Sequence, residues 1–211
     1  MKPILFNTEM VRAILDGRKS CTRRLVKFLL GENPKWTGYI KDGLMLYNGR
    51  NEPCIRTQPY QSGDILYVRE TWCKGLERYI YRADYSDTEK FYQDGKEINM
   101  KWQLSLHMPK EAARIFLRVT NVRVERLQEI TEEQACMEGT DPWDEVCYEN
   151  NGWHPTLSDP DSGGDPNMID GFHKLWNSTI KESDLDRYGW NANPWVWVIE
   201  FERCDKPESE G

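Results

Sequence analysis

The chain of 211 residues has only three histidines, its six cysteines are scattered, and the spacing of both offers no recognisable metal site. His107, His154 and His173 form no HxxxH or HxH pair, and no two cysteines form a CxxC pair. Zinc fingers and related metal centres depend on such closely spaced ligands. We therefore expect no metal centre, and we expect the cysteines to be free thiols in a reducing compartment.

Long apolar runs and a glycine-rich phosphate loop are also missing. The run at residues 195–199 is far shorter than the roughly 20 residues that a membrane helix needs. The N-terminal segment lacks the apolar region and the cleavage site of a secretion signal, so we expect a cytoplasmic protein. Without a glycine-rich loop, we expect no nucleotide cofactor and no other cofactor.

Charge is distributed unevenly along the chain, although the formal net charge is −7. Residues 1–126 carry 23 Lys and Arg against 15 Asp and Glu, whereas residues 127–170 carry twelve acids and neither Lys nor Arg. The early basic cluster consists of Arg12, Arg18, Lys19, Arg23, Arg24 and Lys27. This cluster favours contact with phosphates. The alternative is that it forms a solvated face or pairs with the acidic stretch.

Hydrophobic periodicity predicts a mixed α+β protein. Strands are predicted at residues 3–6, 22–26, 65–70, 79–83, 114–127 and 195–202. Helices are predicted after Thr8 and Thr131 as N-caps, ending at Gly17 and Gly139, and across residues 169–176. Asn121 breaks the alternation of its strand, so that region holds either a bulge or two strands. The elements do not alternate as in a doubly wound sheet, and we predict a small, partly closed β-barrel decorated with helices.

The length fits one domain over residues 1–203, followed by a flexible tail at 204–211. Two segments rich in turn-forming residues, near 29–58 and 140–167, are predicted to be insertions. The first contains a hairpin signal at Asp42 and Gly43.

One short motif carries a resemblance to a known family. Gly17, Lys19, Thr22 and Arg24 fit the pattern G-x-K-x-x-[ET]-x-R, which is the signature of the ASCH domain family. Further similarities follow in order along the chain: the Gly63-Asp64 turn before ILYVRE, the TEEQA helix start at Thr131, and the closing strand VWVIEF. The whole chain resembles the larger ASCH proteins of bacteriophages and prophages, which share the landmarks VRETW, YRAD, HMP and NPWVW.

The resemblance implies a fold similar to the PUA barrel, with a cleft that accepts RNA or a modified nucleoside. One small bacterial member type is an amidohydrolase that removes the acetyl group from 4-acetylcytidine by means of a Lys, a Thr and a Glu. These positions correspond to Lys19, Thr22 and Glu138 here.

The residue types suit that chemistry, since amide hydrolysis needs a nucleophile, a proton carrier and an oxyanion donor. Thr22 can supply the hydroxyl, and Glu138 can carry a proton to the leaving amine. Lys19 acts as a base only if its neutral form is favoured, and otherwise it is an oxyanion donor. From the residues alone, a structural role remains the alternative to catalysis at each position. Thr22 would then be an ordinary strand residue, Lys19 a solvated side chain and Glu138 an exposed carboxylate on a helix.

Further side chains are candidates for binding the substrate or nucleic acid: Arg18, Arg23, Arg24, Tyr60, Glu70, Trp72 and His107. In an extended segment Arg24 shares a face with Thr22, so we expect Arg24 to face the cleft and Arg23 to pair elsewhere. Aromatic rings such as Trp72 can stack on a base, with core packing as the alternative. For Glu70, the alternative is an ion pair with Arg69 or Arg82.

Three other functions remain open at this stage. The first is a non-catalytic RNA-binding module, whose affinity would depend on salt. The second is a metal-independent ribonuclease with Lys19 and Glu138 as acid and base. The third is an interaction protein of phage assembly that works through the acidic loop.

Overall fold

The computed structural model describes residues 1–28, 39–41, 45–47, 52, 58–75, 78–93, 95–140 and 168–207. The strands are β1 (Lys2–Leu5), β2 (Cys21–Leu25), β3 (Tyr39–Lys41), β4 (Met45–Tyr47), β5 (Ile65–Arg69), β6 (Trp72–Lys74), β7 (Tyr79–Tyr81), β8 (Phe91–Gln93), β9 (Lys96–Ile98), β10 (Phe116–Arg126) and β11 (Trp195–Cys204). The α-helices are α1 (Thr8–Leu15), α2 (Glu132–Met137), α3 (Met168–Ser178) and α4 (Leu185–Tyr188).

The α+β class predicted from the sequence is confirmed. The main sheet has the strand order β1-β5-β10-β11-β2, and three two-stranded hairpins accompany it. Within the described residues this sheet does not close into a barrel, because β1 and β2 are its two edges. No helix in the described part of the chain is both long enough and apolar enough to cross a membrane.

The described residues divide into two compact units. The first takes its residues from 1–17, 62–120 and 201–211, and the second from 18–61 and 121–200. Residues 141–167 of the predicted insertion and the end of the predicted tail lie outside the described residues. So do Asp42 and Gly43, where a hairpin is predicted; the described strands on either side, β3 and β4, pair antiparallel with Lys41 opposite Met45.

The first unit is built around β5. Strand β1 pairs with β5 in parallel, with Ile4 opposite Val68, and β10 pairs with β5 antiparallel, with Leu117 opposite Leu66. All four of these side chains are buried, and the ring of Phe6 packs against that of Phe201 in a tilted arrangement, with a centroid distance of 6.1 Å.

Helix α1 of this unit begins one residue earlier than the sequence predicts. Asn7, not Thr8, is the N-cap, and its Oδ1 accepts a hydrogen bond from the Met10 backbone N–H at 2.8 Å. Asn and Thr are both good N-caps, so composition does not distinguish between adjacent candidates. Gly17 follows the helix with φ of +77°, the left-handed conformation that favours glycine, as predicted.

The second unit packs two helices against one face of a strand pair. Strand β2 runs antiparallel to β11, with Cys21 opposite Glu200 and Thr22 opposite Ile199. Cys21 is buried in a cluster with residues of α2, α3 and β11 and of the segment before α2. The other members are Leu127, Ile130, Ala135, Phe172, Trp176, Val196 and Val198. β11 is buried on both faces, because its consecutive residues from Val196 to Ile199 are all buried.

Three sequence predictions concern the strands and helix ends around this core. β10 is one continuous strand of 11 residues that includes Asn121, so the alternative of two strands is wrong. The predicted N-cap of α2 is confirmed, because Thr131 Oγ1 accepts from Gln134 N at 3.3 Å. Gly139 follows α2 with φ of +79°, as predicted.

Candidate functional site

Lys19 and Glu138 lie side by side, although 119 positions separate them in the sequence. Lys19 lies two residues before β2, Glu138 immediately follows α2, and the two form an isolated antiparallel bridge. A backbone hydrogen bond from Ser20 N to Met137 O at 2.9 Å holds the segments together. The end of α2 is thereby fixed against the start of β2.

The side chains of this pair form a buried ion pair. Lys19 Nζ donates to Glu138 Oε2 at 2.8 Å and to the Glu138 backbone oxygen at 2.7 Å. The side chain of Lys19 is 0% exposed and that of Glu138 is 3% exposed. Charges that are removed from water interact far more strongly than charges on a surface, and they persist only when they are paired.

Arg23 supplies a second cation to the same carboxylate. Its Nη1 donates to Glu138 Oε1 at 3.1 Å, and its Nη2 donates to Glu125 Oε1 at 2.6 Å and to Gln134 Oε1 at 2.8 Å. The Arg23 side chain is fully buried, and its guanidinium lies 5.6 Å from the centre of the Phe172 ring. Its Nε is buried without a hydrogen-bond partner among the described residues.

The expectation that Arg23 pairs away from the site is therefore wrong. Side chains alternate along a strand, so Arg23 shares the face of Cys21, which packs against α2 and α3. Glu138 lies at the end of α2 on that same side, and it receives Arg23 there. Arg23 holds the carboxylate in place from within the protein rather than from a solvent-facing surface.

Arg24 and Thr22 share the opposite face of β2. Burial lowers the pKa of the Arg24 guanidinium, and the charges of Glu138 and Tyr60 act in the opposite direction. The carboxylate is therefore in contact with Arg23 on one face of the strand and within electrostatic range of Arg24 on the other. Thr22 is 2% exposed and sits three residues after Lys19.

The structure thus brings together several of the residues that the sequence indicates: Lys19, Arg23 and Glu138 by direct contact, and Arg24 and Tyr60 by electrostatic interaction. Two polar members, Glu125 and Gln134, were not predicted. Their partner Arg23 is 102 and 111 positions away, and spacing over such distances carries no signal. Arg18 is exposed, and it donates from Nη1 to Gly139 O at 3.2 Å.

Three other candidates belong to the first unit. Glu70 is 1% exposed and is paired with Arg114, whose Nε lies 2.9 Å from Glu70 Oε1, so the suggested pairing with Arg69 or Arg82 is wrong. Arg69 instead donates to the Met108 backbone oxygen at 2.8 Å. These contacts give Glu70 a structural role within its own unit.

The remaining two candidates differ in exposure. Trp72 is 6% exposed and packs edge-on against Tyr79 at 5.5 Å, which is core packing rather than an open stacking surface. His107 is exposed in a short 3-10 helix, Ser105–His107. Among the described residues, no three His, Cys, Asp or Glu side chains gather into a group that could hold a metal ion.

Cys21 lies next to the buried ion pair, and the environment of its thiol opposes reactivity. Burial, followed by the charge of Glu138, raises the pKa of the Cys21 thiol from 9.0 to about 12, although Arg23 and Lys19 lower it. The reactive form of a cysteine is the thiolate, and Cys21 is 1% exposed.

We therefore expect iodoacetamide at pH 8 to alkylate Cys21 in the native protein at least ~10-fold more slowly than the exposed Cys136. Peptide mass spectrometry after timed quenching measures the two rates, with urea-unfolded protein as the control in which they become similar. Equal rates in the native protein would show that the Cys21 thiol is accessible.

Comparison of the chain with models of known protein families, with curated proteins and with solved structures gives no match.

Proposed function

We propose that this protein is of the ASCH type, with a PUA-like barrel, and that it binds RNA or a modified nucleoside beside Lys19. We further propose that it hydrolyses an amide on an acylated pyrimidine such as 4-acetylcytidine, with no need for a metal. The observation that carries the proposal is the buried contact between Lys19 Nζ and Glu138 Oε2 at 2.8 Å. These are two of the three residues that the resemblance implies for catalysis.

The placement of the neighbouring residues supports the same assignment. A lysine and a glutamate are almost never fully buried in a protein unless they are paired, and their removal from water strengthens their interaction with a polar substrate. Arg24 adds a cation within electrostatic range of the carboxylate. Thr22, on the face shared with Arg24, supplies a hydroxyl three residues after Lys19 in the sequence.

The proposed reaction consumes one water and yields acetate and the free amine. Thr22 Oγ attacks the acetyl carbon, and Lys19 Nζ donates to the developing oxyanion. The hydroxyl proton passes to Glu138 and then to the amine nitrogen as the C–N bond breaks. Water next cleaves the acetyl ester on Thr22, which restores the hydroxyl and releases acetic acid.

The test is the turnover of 4-acetylcytidine by the purified protein in the presence of EDTA. We expect the wild type to release cytidine and acetate in equal amounts, and Thr22→Ala to lose at least ~100-fold in kcat/KM because the nucleophile is gone. Thr22→Ser, which keeps a hydroxyl, should retain measurable turnover. Lys27→Met is the control, since it removes an exposed cation from the same segment.

Other outcomes would redirect the assignment. Turnover that survives in Thr22→Ala would exclude Thr22 as the nucleophile. Absence of turnover, together with an RNA affinity that falls steeply with salt, would indicate the non-catalytic RNA-binding module. Cleavage of RNA in EDTA that is lost in Lys19→Met would indicate the ribonuclease.

A further inference from the structure

Two polar side chains beside the site, Glu125 and Gln134, have no part in the proposed reaction. Both accept hydrogen bonds from Arg23, Glu125 from within β10 and Gln134 from within α2. Arg23 also donates to Glu138, and all four residues belong to the same compact unit. Each of the two side chains is therefore separated from the Glu138 carboxylate by a single residue.

The carboxylate of Glu138 is held at both of its oxygens. Lys19 Nζ donates to Oε2 at 2.8 Å, and Arg23 Nη1 donates to Oε1 at 3.1 Å. The last bond of a glutamate side chain turns easily, so a contact at one oxygen leaves the plane of the carboxylate free. Contacts at both oxygens fix that plane. Arg23 thus sets the orientation of the group that receives the proton of Thr22 in the proposed reaction.

The guanidinium of Arg23 is itself held by acceptors from two elements. Its Nη2 donates to Glu125 Oε1 at 2.6 Å and to Gln134 Oε1 at 2.8 Å. The arginine fork is planar and rigid, so the contacts at Nη2 also fix the direction in which Nη1 points. Loss of either acceptor would allow Nη1 to turn relative to Glu138.

Glu125 is also held at both of its oxygens. Oε1 accepts from Arg23, and Oε2 accepts from Arg123 Nε at 3.1 Å. Arg123 is in turn paired with Glu200 of β11. Charges of alternating sign therefore run without a break from the sheet to the guanidinium of Arg23, and each one fixes the next.

Gln134 takes part in two separate hydrogen bonds through one oxygen. Its Oε1 accepts from Arg23 and also from the Thr131 backbone N–H at 3.3 Å, which belongs to the capping box of α2. Gln134 and Glu138 are four residues apart, so they share one face of the helix. The capping box does not require Arg23, and mutation can therefore separate capping of α2 from the contact with Arg23.

We propose that Glu125 and Gln134 are positioning residues for Glu138 and that they act through Arg23. The inference rests on the proposed function, because the orientation of Glu138 affects turnover only if Glu138 carries the proton. A proton passes between groups that lie within hydrogen-bond reach, so a carboxylate that has turned away transfers it more slowly. Loss of an interaction that serves the chemical step lowers kcat and leaves KM nearly unchanged.

The first measurement is the steady-state turnover of 4-acetylcytidine. We expect Gln134→Ala and Glu125→Ala each to lower kcat by about 10-fold or more, with a change in KM below about 3-fold. Gln134→Glu keeps an acceptor oxygen for Arg23 and keeps the capping box, so its kcat should stay within about 3-fold of the wild type.

Thr131→Ala is the matched control for Gln134→Ala. It removes the hydrogen bond from Gln134 N to Thr131 Oγ1 in the same capping box and leaves the Gln134 side chain on Arg23. Loss of an N-cap destabilises a helix, so thermal melts should show a lower melting temperature in both variants. We expect kcat to fall only in Gln134→Ala.

The second measurement does not require turnover. The Lys19 ammonium lies across the carboxylate from Arg23, and its side chain is 0% exposed. Protons that are buried and hydrogen-bonded exchange slowly with water, so proton–nitrogen NMR of isotope-labelled protein detects this ammonium. Its signal should shift in Gln134→Ala and Glu125→Ala, because the carboxylate turns, and it should stay in place in Thr131→Ala.

The two measurements separate this inference from the hydrolase proposal. If the wild type turns over 4-acetylcytidine and neither alanine variant lowers kcat, or Thr131→Ala lowers it equally, the inference is overturned and the hydrolase is left intact. If the wild type shows no turnover, the hydrolase falls and the Lys19 signal decides. A shift in Gln134→Ala and Glu125→Ala alone supports the positioning of Glu138, whereas an unchanged signal, or an equal shift in Thr131→Ala, overturns it.

Discussion

Glu138→Ala is expected to lower the free energy of unfolding by about 3–5 kcal/mol, because it removes one partner of a buried ion pair. Lys19 would lose the carboxylate that lies 2.8 Å from its Nζ. Arg23 would be affected less, since it retains Glu125 and Gln134. A urea denaturation curve, monitored by circular dichroism, measures the change in the free energy of unfolding.

Two further variants identify the cause. Glu133→Ala removes an exposed carboxylate from the same helix and should change the free energy of unfolding by at most about 1 kcal/mol. The double variant Lys19→Met with Glu138→Leu removes both charges. Its loss of unfolding free energy should therefore be clearly smaller than the sum of the losses measured for Lys19→Met alone and for Glu138→Leu alone. If Glu138→Ala were as stable as Glu133→Ala, the ion pair would not be buried in the native protein.

Arg114→Met is expected to destabilise the first unit by a similar amount, about 3–5 kcal/mol at pH 7, and to do so in a pH-dependent way. Burial already raises the pKa of Glu70 above its ordinary value of 4.5, and the hydrogen bonds and charge of Arg114 oppose that rise. Without Arg114, the pKa of Glu70 rises further, and the folded state is left with a buried carboxylate that has lost its partner.

The direction of the pH dependence follows from this shift. A carboxyl group with a higher pKa in the folded state takes up its proton there first, so acidification from pH 7 towards 4.5 stabilises the folded state relative to the unfolded state. The free energy of unfolding of Arg114→Met should therefore come closer to that of the wild type between pH 7 and pH 5. Arg118→Met, which removes an exposed arginine from β10 four residues after Arg114, is the control. If the difference in free energy of unfolding between the wild type and Arg114→Met is the same at both pH values, Glu70 is not the group that has lost its partner.

Local sequence signals predict the elements around the site well. Thr131 and Gln134 have the spacing of a capping box, and the structure has both of its hydrogen bonds. Apolar residues on both sides of β11, from Trp195 to Ile199, similarly predict a strand that is partly buried on both faces. Such signals involve only a few neighbouring residues. The physical cause of the element, a helix cap or the period of two along a strand, is contained in the same short stretch of sequence.

The contacts within the site depend on distant pairings, which are harder to predict. Local sequence alone gives Glu138 as an exposed helix carboxylate, and only the resemblance pairs it with Lys19. The sequence predicts that Arg23 pairs away from the site, which is wrong, because parity along β2 distinguishes two faces but does not say which face α2 covers. The same limit applies to Glu70, since nothing in the sequence distinguishes Arg114 from Arg69 or Arg82 as its partner.

The long separation between Lys19 and Glu138 also affects how the protein is made. A ribosome that adds roughly 5–20 residues per second needs about 6–24 s to synthesise the intervening chain. During that interval Lys19 and Arg23 have no carboxylate from α2 to pair with, and the nascent chain must keep both cations hydrated. The buried ion pair is therefore a late event in biosynthesis, and a nascent chain stalled before residue 138 contains the basic signature without the site.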